Sequence, residues 1–391
     1  MGDITLTGFT ELLYQARDIV AAEPCALTNS VMVNSGSEGV SLGGTVQSFA
    51  TSQPTLNASY TPAMTIPEGD DSTETVLTMT IGQVANVKIP LKGETMKQLE
   101  NTVGREAFMN DKIAQSFRKI RNAIEAHVAT IIYKGASRGT GTAGTTPFAS
   151  NHNAVNAVRQ ILVDNGCPAD DGMISLVMNT LAGTNVRNLS NLYKVNEAGG
   201  SDLLRRGVLQ DISGIMLKES AGIASVTAGT MASATTSNAA LTVGQTVLPL
   251  ATAGTGVVAA GDIITLANDT NKYVVTAVSF AGANPASGDT ITIASPGLRK
   301  AQSAATRTIT VTADYTANVA FHKSSTELVI RPPAQPYGGD AAVDRTTLVD
   351  TKSNLVFDIA LYKGYGKNML DITTFYQAKV WKPDFAAVLI G

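Results

Sequence analysis

Ile113-Ala114-Gln115-Ser116-Phe117-Arg118-Lys119-Ile120-Arg121-Asn122-Ala123-Ile124-Glu125-Ala126-His127-Val128-Ala129-Thr130-Ile131 is the stretch around which the chain organises. Ile113, Phe117, Ile120, Ile124, Val128 and Ile131 recur at steps of three and four, which at 3.6 residues per turn places them on one stripe of a helix. The pattern predicts a long helix over residues 92–133, stopped by Gly135. Arg105, Lys112 and Lys119 repeat every seventh residue and form a basic flank beside the stripe. A helix of this length with one apolar face is a spine.

Upstream, residues 45–90 read as a long extended region whose second half alternates, first in Thr75-Val76-Leu77-Thr78-Met79-Thr80-Ile81 and then in Val84-Ala85-Asn86-Val87-Lys88-Ile89. The acidic, turn-prone run Pro67-Glu68-Gly69-Asp70-Asp71-Ser72 marks the tip of what reads as a two-stranded arm with an exposed end. Further back, Leu12, Leu13, Ala16, Ile19 and Val20 give residues 10–22 the spacing of a short amphipathic helix that stops near Pro24.

Downstream, Gly139-Thr140-Gly141-Thr142-Ala143-Gly144 has the letters of a dinucleotide-binding loop. That mechanism needs a preceding strand, so that the phosphates meet the N-terminus of the next helix. Here the run follows a long helix, so a flexible, hinge-like connector is the better reading and no cofactor is expected. Residues 153–218 alternate helices and short strands as a mixed α/β unit. Residues 224–313 then change character: Ala, Thr, Gly, Val and Ser dominate, and Tyr273 and Phe280 are the only aromatics. Period-two runs such as Asp262-Ile263-Ile264-Thr265-Leu266 and Lys272-Tyr273-Val274-Val275-Thr276-Ala277-Val278 make this block a small β-domain rather than a linker. Asn318-Val319-Ala320-Phe321-His322 and Thr326-Glu327-Leu328-Val329-Ile330-Arg331-Pro332-Pro333 restore the earlier composition, and residues 355–361 and 367–381 alternate as antiparallel strands. The flanks match each other better than either matches the block, the mark of an insertion.

At 391 residues the chain is long enough for two or three domains. Charged residues make up 16% and the net charge is −3, which argues against a nucleic-acid-reading module but not against local contact with a polyanion. Cys25 and Cys167 are too few and too far apart for a disulfide framework or metal site, and are expected as reduced, semi-buried thiols. The N-terminus lacks the order of a secretion signal, and no apolar run reaches the roughly 20 residues of a membrane span. Synthesis and first action in a reducing cytoplasm follow as the expectation. His127, His152 and His322 fall in separate elements; Glu125-Ala126-His127 lacks the second histidine of a zinc helix, and His127 reads as a core-edge residue. No nucleophile elbow, phosphate loop or paired-cysteine motif occurs, so no catalytic or metal site is expected. For Arg105, Lys112 and Lys119 two readings stand: a solvated edge pairing with neighbours such as Glu106, or a face for a polyanion or an acidic partner subunit.

The order of these elements resembles tailed-phage major capsid proteins of the Hong Kong 97 type, and within them the podovirus coat proteins that carry an inserted β-domain. Local likeness lies in residues 90–133, in the Gly261-Asp262-Ile263-Ile264-Thr265-Leu266, Tyr273-Val274-Val275-Thr276-Ala277-Val278 and Gly288-Asp289-Thr290-Ile291-Thr292-Ile293 runs, and in residues 318–333. The resemblance implies an α+β fold: an N-terminal arm (1–44), an extended β-arm (45–91), a spine helix and peripheral domain (92–152), the first part of an axial domain (153–223), an inserted β-barrel-like domain (224–313), and return strands of the axial and peripheral domains (314–391). It further implies a non-enzymatic coat subunit assembling into pentamers and hexamers of an icosahedral shell around double-stranded DNA, bound without sequence specificity. The shell would be assembled in the host cytoplasm and end in the virion. A separate scaffolding protein, a portal and a decoration protein are the implied partners. The rival is a secreted or surface-displayed β-rich adhesin or carbohydrate-binding protein, which predicts an export signal and repeated β-modules. An enzyme with an unrecognised carboxylate site is third.

Overall fold

The computed structural model describes residues 26–51, 62, 64–65, 74–100, 105–193, 209, 211–252, 254–282, 284–350 and 353–391, without the side chains of 48–51, 74–75, 98–100, 105–107, 191, 193 and 252. The expected helix over 10–22, Cys25, and most of the arm tip lie outside the described residues. The fold is mixed α/β and rich in sheet.

The spine is a helix over Arg105–Gly135, preceded by a shorter helix over Gly93–Glu100. Ile113, Phe117, Ile120, Ile124 and Val128 are buried as the stripe requires, and Ile132 joins them where Ile131 is only half-covered. These side chains, each contributing about 1.5–3 kcal/mol on burial, pack on a six-stranded sheet. Its hub is Lys367–Val380, which pairs with Gln83–Lys92, with Val356–Gly364 and with Thr326–Arg331, all antiparallel. Ala342–Val349 forms one edge, and Met32–Ser35 runs parallel to Thr326–Arg331 at the other. Phe117 meets Phe357 edge to face at 5.0 Å between ring centroids, fixing the helix on the sheet.

Thr45–Thr51 and Glu74–Thr80 pair antiparallel from Thr45↔Thr80 to Thr51↔Glu74 as a separate two-stranded sheet. The strand side of this arm runs through Ile81-Gly82 almost directly into Gln83–Lys92. Among the described residues its base is what reaches a core: Met79 and Ile81 bury against Val329, with Val40, Val46, Phe375 and Trp381 around them. Lys379 Nζ donates to the Thr78 carbonyl at 3.0 Å while lying 4.3 Å from the Trp381 ring centroid.

The second sheet sets Tyr315–His322 between Ala386–Ile390 and Ile174–Met178, with Ile215–Glu219 parallel to the latter. The helix Asn153–Asp164 buries Val155, Val158, Ile161 and Leu162 against it. Residues 138–141 depart from expectation: Arg138–Gly141 is a strand, parallel to Ala386–Ile390 and antiparallel to Lys272-Tyr273, not a flexible connector. Its glycines serve closeness. A Cβ on Gly139 would come within 3.2 Å of both Ile263 and Ile390, and Gly141 has φ +102° with the Ile390 carbonyl 2.4 Å from the site of a Cβ. Helix, strand and barrel are thereby joined without a hinge.

The chain leaves this sheet after Glu219 and re-enters at Tyr315. In between, Thr235–Thr236, Val247–Thr252, Thr290–Ile293, Lys272–Ser279, Ile263–Leu266 and Ile309–Val311 pair in that order. The ring closes through a Thr235↔Thr308 bridge, with Thr236 N–H donating to the Arg307 carbonyl at 2.9 Å and Ile309 N–H to that of Ala234 at 3.0 Å. A closed barrel leaves no free sheet edges, and this one has its own apolar centre around Leu248, Leu250, Ile264, Tyr273, Ile291 and Ile293.

One turn is used three times in the barrel. Thr242-Val243-Gly244-Gln245, Ala259-Ala260-Gly261-Asp262 and Ala286-Ser287-Gly288-Asp289 each place a glycine with φ +85°, +102° and +90° at the third position, as a type II turn requires. In each, the fourth residue's side-chain oxygen accepts from the amide of the first, at 3.2, 2.7 and 2.7 Å. Each also locks onto a distant segment by a reciprocal pair of backbone bonds, to Leu298, Val275 and Leu250 respectively. Asp262 and Asp289 are buried and each take a further amide, from Gly229 and Ala281. Asp262→Ala or Asp289→Ala removes a buried carboxylate that two part-buried amides donate to; either is expected to cost the barrel about 2–3 kcal/mol, whereas Gln245→Ala costs under about 1 because its turn is exposed. Urea denaturation of the three variants checks the order.

Candidate interaction surfaces

The face of the spine helix turned away from the sheet is exposed at Lys112, Gln115, Lys119 and Asn122. Of the basic flank expected there, Lys112 and Lys119 are solvent-facing, and the side chain of Arg105, like that of Glu106, lies outside the described residues. Lys112 Nζ sits 5.6 Å from the Phe108 ring centroid, and among the described residues neither lysine has a carboxylate partner. Two ammonium groups therefore stand about 10 Å apart at 1.5 Å rise per residue, on a face that also exposes Asp111 and Arg118.

Glu125 is the residue on this helix that spacing did not reveal. Buried beside the apolar stripe, its carboxylate accepts from Leu27 N–H at 2.9 Å, from Thr28 N–H at 3.2 Å, from Thr28 Oγ1 at 2.8 Å and from Ser220 Oγ at 3.0 Å. One side chain thus ties the entering chain, the spine and the exit toward the barrel. Lys218 Nζ reinforces the same junction by donating to Ser30 Oγ at 2.7 Å.

His127 lies at the core edge, as expected from its place beside the stripe. Its ring meets Tyr376 edge to face at 5.4 Å, its buried Nε2 has no hydrogen-bond partner, and burial lowers its pKa below the ordinary value. The neutral ring is favoured in the folded state, so its contribution is complete above about pH 6.5, the unfolded value, and is lost as pH falls through the lower folded value. Thermal melts at pH 7.5 and pH 5 are expected to converge in His127→Phe relative to the native chain; an unchanged difference would count against this assignment.

His322 pairs with residues the sequence gave no reason to join to it. Its Nε2 is 2.7 Å from Asp171 Oδ2, and Ser324 N–H donates to Nδ1 at 3.1 Å, so the ring proton faces Asp171. That hydrogen bond holds the Asp171 carboxyl below its ordinary pKa. The Ser-His-Asp grouping caps a short 3-10 turn over Lys323–Ser325. Shallow grooves of about 250 Å³, along Gly141, Pro147 and Leu389, and about 330 Å³, between Thr28, Val33 and Lys323, are not lined by His322, Asp171 or Ser324. Among the described residues no three His, Cys, Asp or Glu side chains cluster to hold a metal ion. Cys167 is a free, buried thiol whose pKa burial pushes up to about 11, a weakly nucleophilic state.

The most fully exposed large apolar and aromatic side chains among the described residues are Met64, Tyr337 and Tyr365, each outside helix and strand. Tyr337 and Tyr365 are fully exposed at the same end of the six-stranded sheet, where Ala342 pairs with Tyr362 and the Gly364↔Lys367 turn closes. The loop bearing Tyr337 is held: Asp340 accepts from Tyr362 OH at 2.6 Å and from Arg345 at 3.2 Å, and Arg345 binds Asp358 at 2.6 Å.

No family model and no curated protein matches the chain in sequence. Among solved structures it is similar to that of Mycobacterium phage Che8, with 14% identity and a TM-score of 0.46 over 89% of this chain and 84% of that one. It is also similar to the capsid structure of the cyanophage P-SCSP1u, with 11% identity and a TM-score of 0.48 over 92% and 86%. A third likeness is to the virus-like particle from Pyrococcus furiosus, with 8% identity and a TM-score of 0.44 over 97% and 99%. At such identities, and with TM-scores below 0.5, these likenesses fix neither family nor function.

Proposed function

We propose that the chain is a major coat protein that self-assembles into the icosahedral head of a tailed double-stranded DNA phage, in the Hong Kong 97 manner, and works by packing rather than by catalysis. The observation that carries this reading is the arm. Thr45–Thr51 and Glu74–Thr80 form a two-stranded sheet that, among the described residues, meets the subunit's own core through Met79, Ile81 and Val46 at its base. A long unpaired hairpin is a liability in a free monomer and an asset where a neighbour covers it. The spine laid across a sheet gives a stiff plate between the arm and the loop tips at Tyr337 and Tyr365. In the same reading the closed barrel is the inserted domain, steadying the plate against Arg138–Gly141 and bridging neighbours. A separate scaffolding protein, a portal, a decoration protein and packaged DNA belong to the reading as partners.

Electron microscopy of the purified protein tests it. Uniform shells or tubes are the expected result; a strictly monomeric species at high concentration, with scaffolding protein present, would sink the proposal.

A further inference from the structure

We infer that the barrel holds a small tetrahedral oxyanion, of the phosphate and sulfate class, in the seam between residues 235–241 and 302–308. These two segments run antiparallel where the barrel closes, and they are bonded at both ends. At one end Ile309 N–H donates to the Ala234 carbonyl at 3.0 Å and Thr236 N–H to that of Arg307 at 2.9 Å; at the other, Leu241 and Gln302 exchange a reciprocal pair at 3.0 and 2.8 Å. In a regular antiparallel ladder the bonded pairs fall on every second residue. Leu241 is an odd number of positions on from Thr236, so no unbroken ladder contains both pairs, and the segments part between them. Among the described residues no backbone bond crosses that interval, and Asn238, Ala239, Ala240, Ser303, Ala304 and Thr306 along it are exposed.

The parting leaves polar groups unmet. Thr235 Oγ1, Ser237 Oγ, Gln302 Nε2 and Arg307 Nε are buried without a hydrogen-bond partner, and Gln302 as a whole is 6% exposed. Four of the ten such side-chain atoms among the described residues thus fall in these two short segments, a concentration that points to one shared partner rather than to scattered packing faults. Their chemistry selects the ligand. Arg307 Nε and Gln302 Nε2 only donate, which excludes a cation, while the two hydroxyls donate or accept. Neither 231–241 nor 299–308 contains an aspartate or glutamate, and Arg299, Lys300 and Arg307 bring positive charge. Arg299 and Lys300 bond the main-chain carbonyls of Asp164 and Asn268 at 3.1 and 2.7 Å, and Arg307 Nη2 bonds Ser303 Oγ at 3.1 Å. Among the described residues Arg307 has no carboxylate partner. An oxyanion supplies the missing counter-charge together with an acceptor for each of the four atoms; a water molecule brings no charge and accepts from two. Bound there, the ion joins the segments across the interval their backbones leave open and completes the barrel wall. The site stands independently of the coat reading.

Isothermal titration calorimetry of the purified chain with sodium phosphate and with sodium sulfate, at constant ionic strength in chloride, tests the inference. Saturable binding of one ion per chain is expected for both. Arg307→Met and Gln302→Leu are each expected to weaken it about tenfold or more, the equivalent of losing one hydrogen bond to a charged group. Lys112→Gln with Lys119→Gln, which removes two exposed charges on the spine helix, is expected to bind as the native chain does. Circular dichroism establishes that each variant is folded; if Arg307→Met is not, Gln302→Leu decides alone. No saturable heat from the native chain would mean that water alone fills the seam, and native affinity in a folded Arg307→Met or Gln302→Leu variant would place the ion elsewhere. Either result overturns the inference.

Discussion

Glu125→Ala is expected to lower stability by about 3–5 kcal/mol, the range for removing one partner from a buried charged network. The carboxylate is the acceptor for Leu27 N–H, Thr28 N–H, Thr28 Oγ1 and Ser220 Oγ, and alanine leaves these donors facing a cavity that is too enclosed for bulk water. Each unsatisfied buried donor costs about 1–3 kcal/mol, partly relieved as residues 26–30 loosen. Glu125→Gln separates charge from shape: one amide oxygen can still accept from Leu27 and Ser220, while the amide NH₂ would face the Thr28 donors. An intermediate loss, about half that of alanine, is the expected outcome. Urea denaturation gives the order native, glutamine, alanine. A loss under about 1 kcal/mol for alanine would show that the junction is held by the apolar contacts of Leu27 and Val31 instead.

Glu125 also shows where reading from sequence stops. The spine was legible because bulky side chains at steps of three and four have no other way to share a face, and five of the six expected positions are buried. The arm and the return strands were legible from period-two alternation. The barrel was legible because Gly261-Asp262 and Gly288-Asp289 each begin an alternating run, but the third turn was hidden where Gln245 replaces aspartate. Glu125 sits one residue from an apolar position, as many solvated glutamates do, and its partners lie 95 to 98 positions away in sequence. Arg138–Gly141 was misread for a related reason. Glycine carries no side-chain signal, so a strand whose glycines admit Ile263 and Ile390 looks like a loop until its neighbours are known. Arg138 gives the same lesson: buried, it donates to Asn271 and Asn165, which come from separate elements. What sequence carries locally is periodicity and turn chemistry; what it withholds is the pairing of single polar groups across the fold.

Deleting residues 61–73 is expected to spare the folded subunit and abolish assembly. The arm's attachment does not depend on this segment, most of which lies outside the described residues. The base is fixed by Met79, Ile81 and Val46 against Val329, by the Lys379 bond to the Thr78 carbonyl, and by the reciprocal bonds of Gly43 and Gly44 with Ile81. Loss of this segment should therefore shift the melting temperature by no more than about 2–4 °C, the upper bound that about 1 kcal/mol gives in a chain of 150–250 residues or more. Under the coat reading assembly loses the acidic run Glu68-Gly69-Asp70-Asp71 with the rest of the segment, and a shell repeats that loss at every contact, so the whole transition fails rather than weakens. A deleted chain that no longer yields soluble, folded subunit would show that residues 61–73 belong to the subunit's own core, and the arm assignment would fall with it.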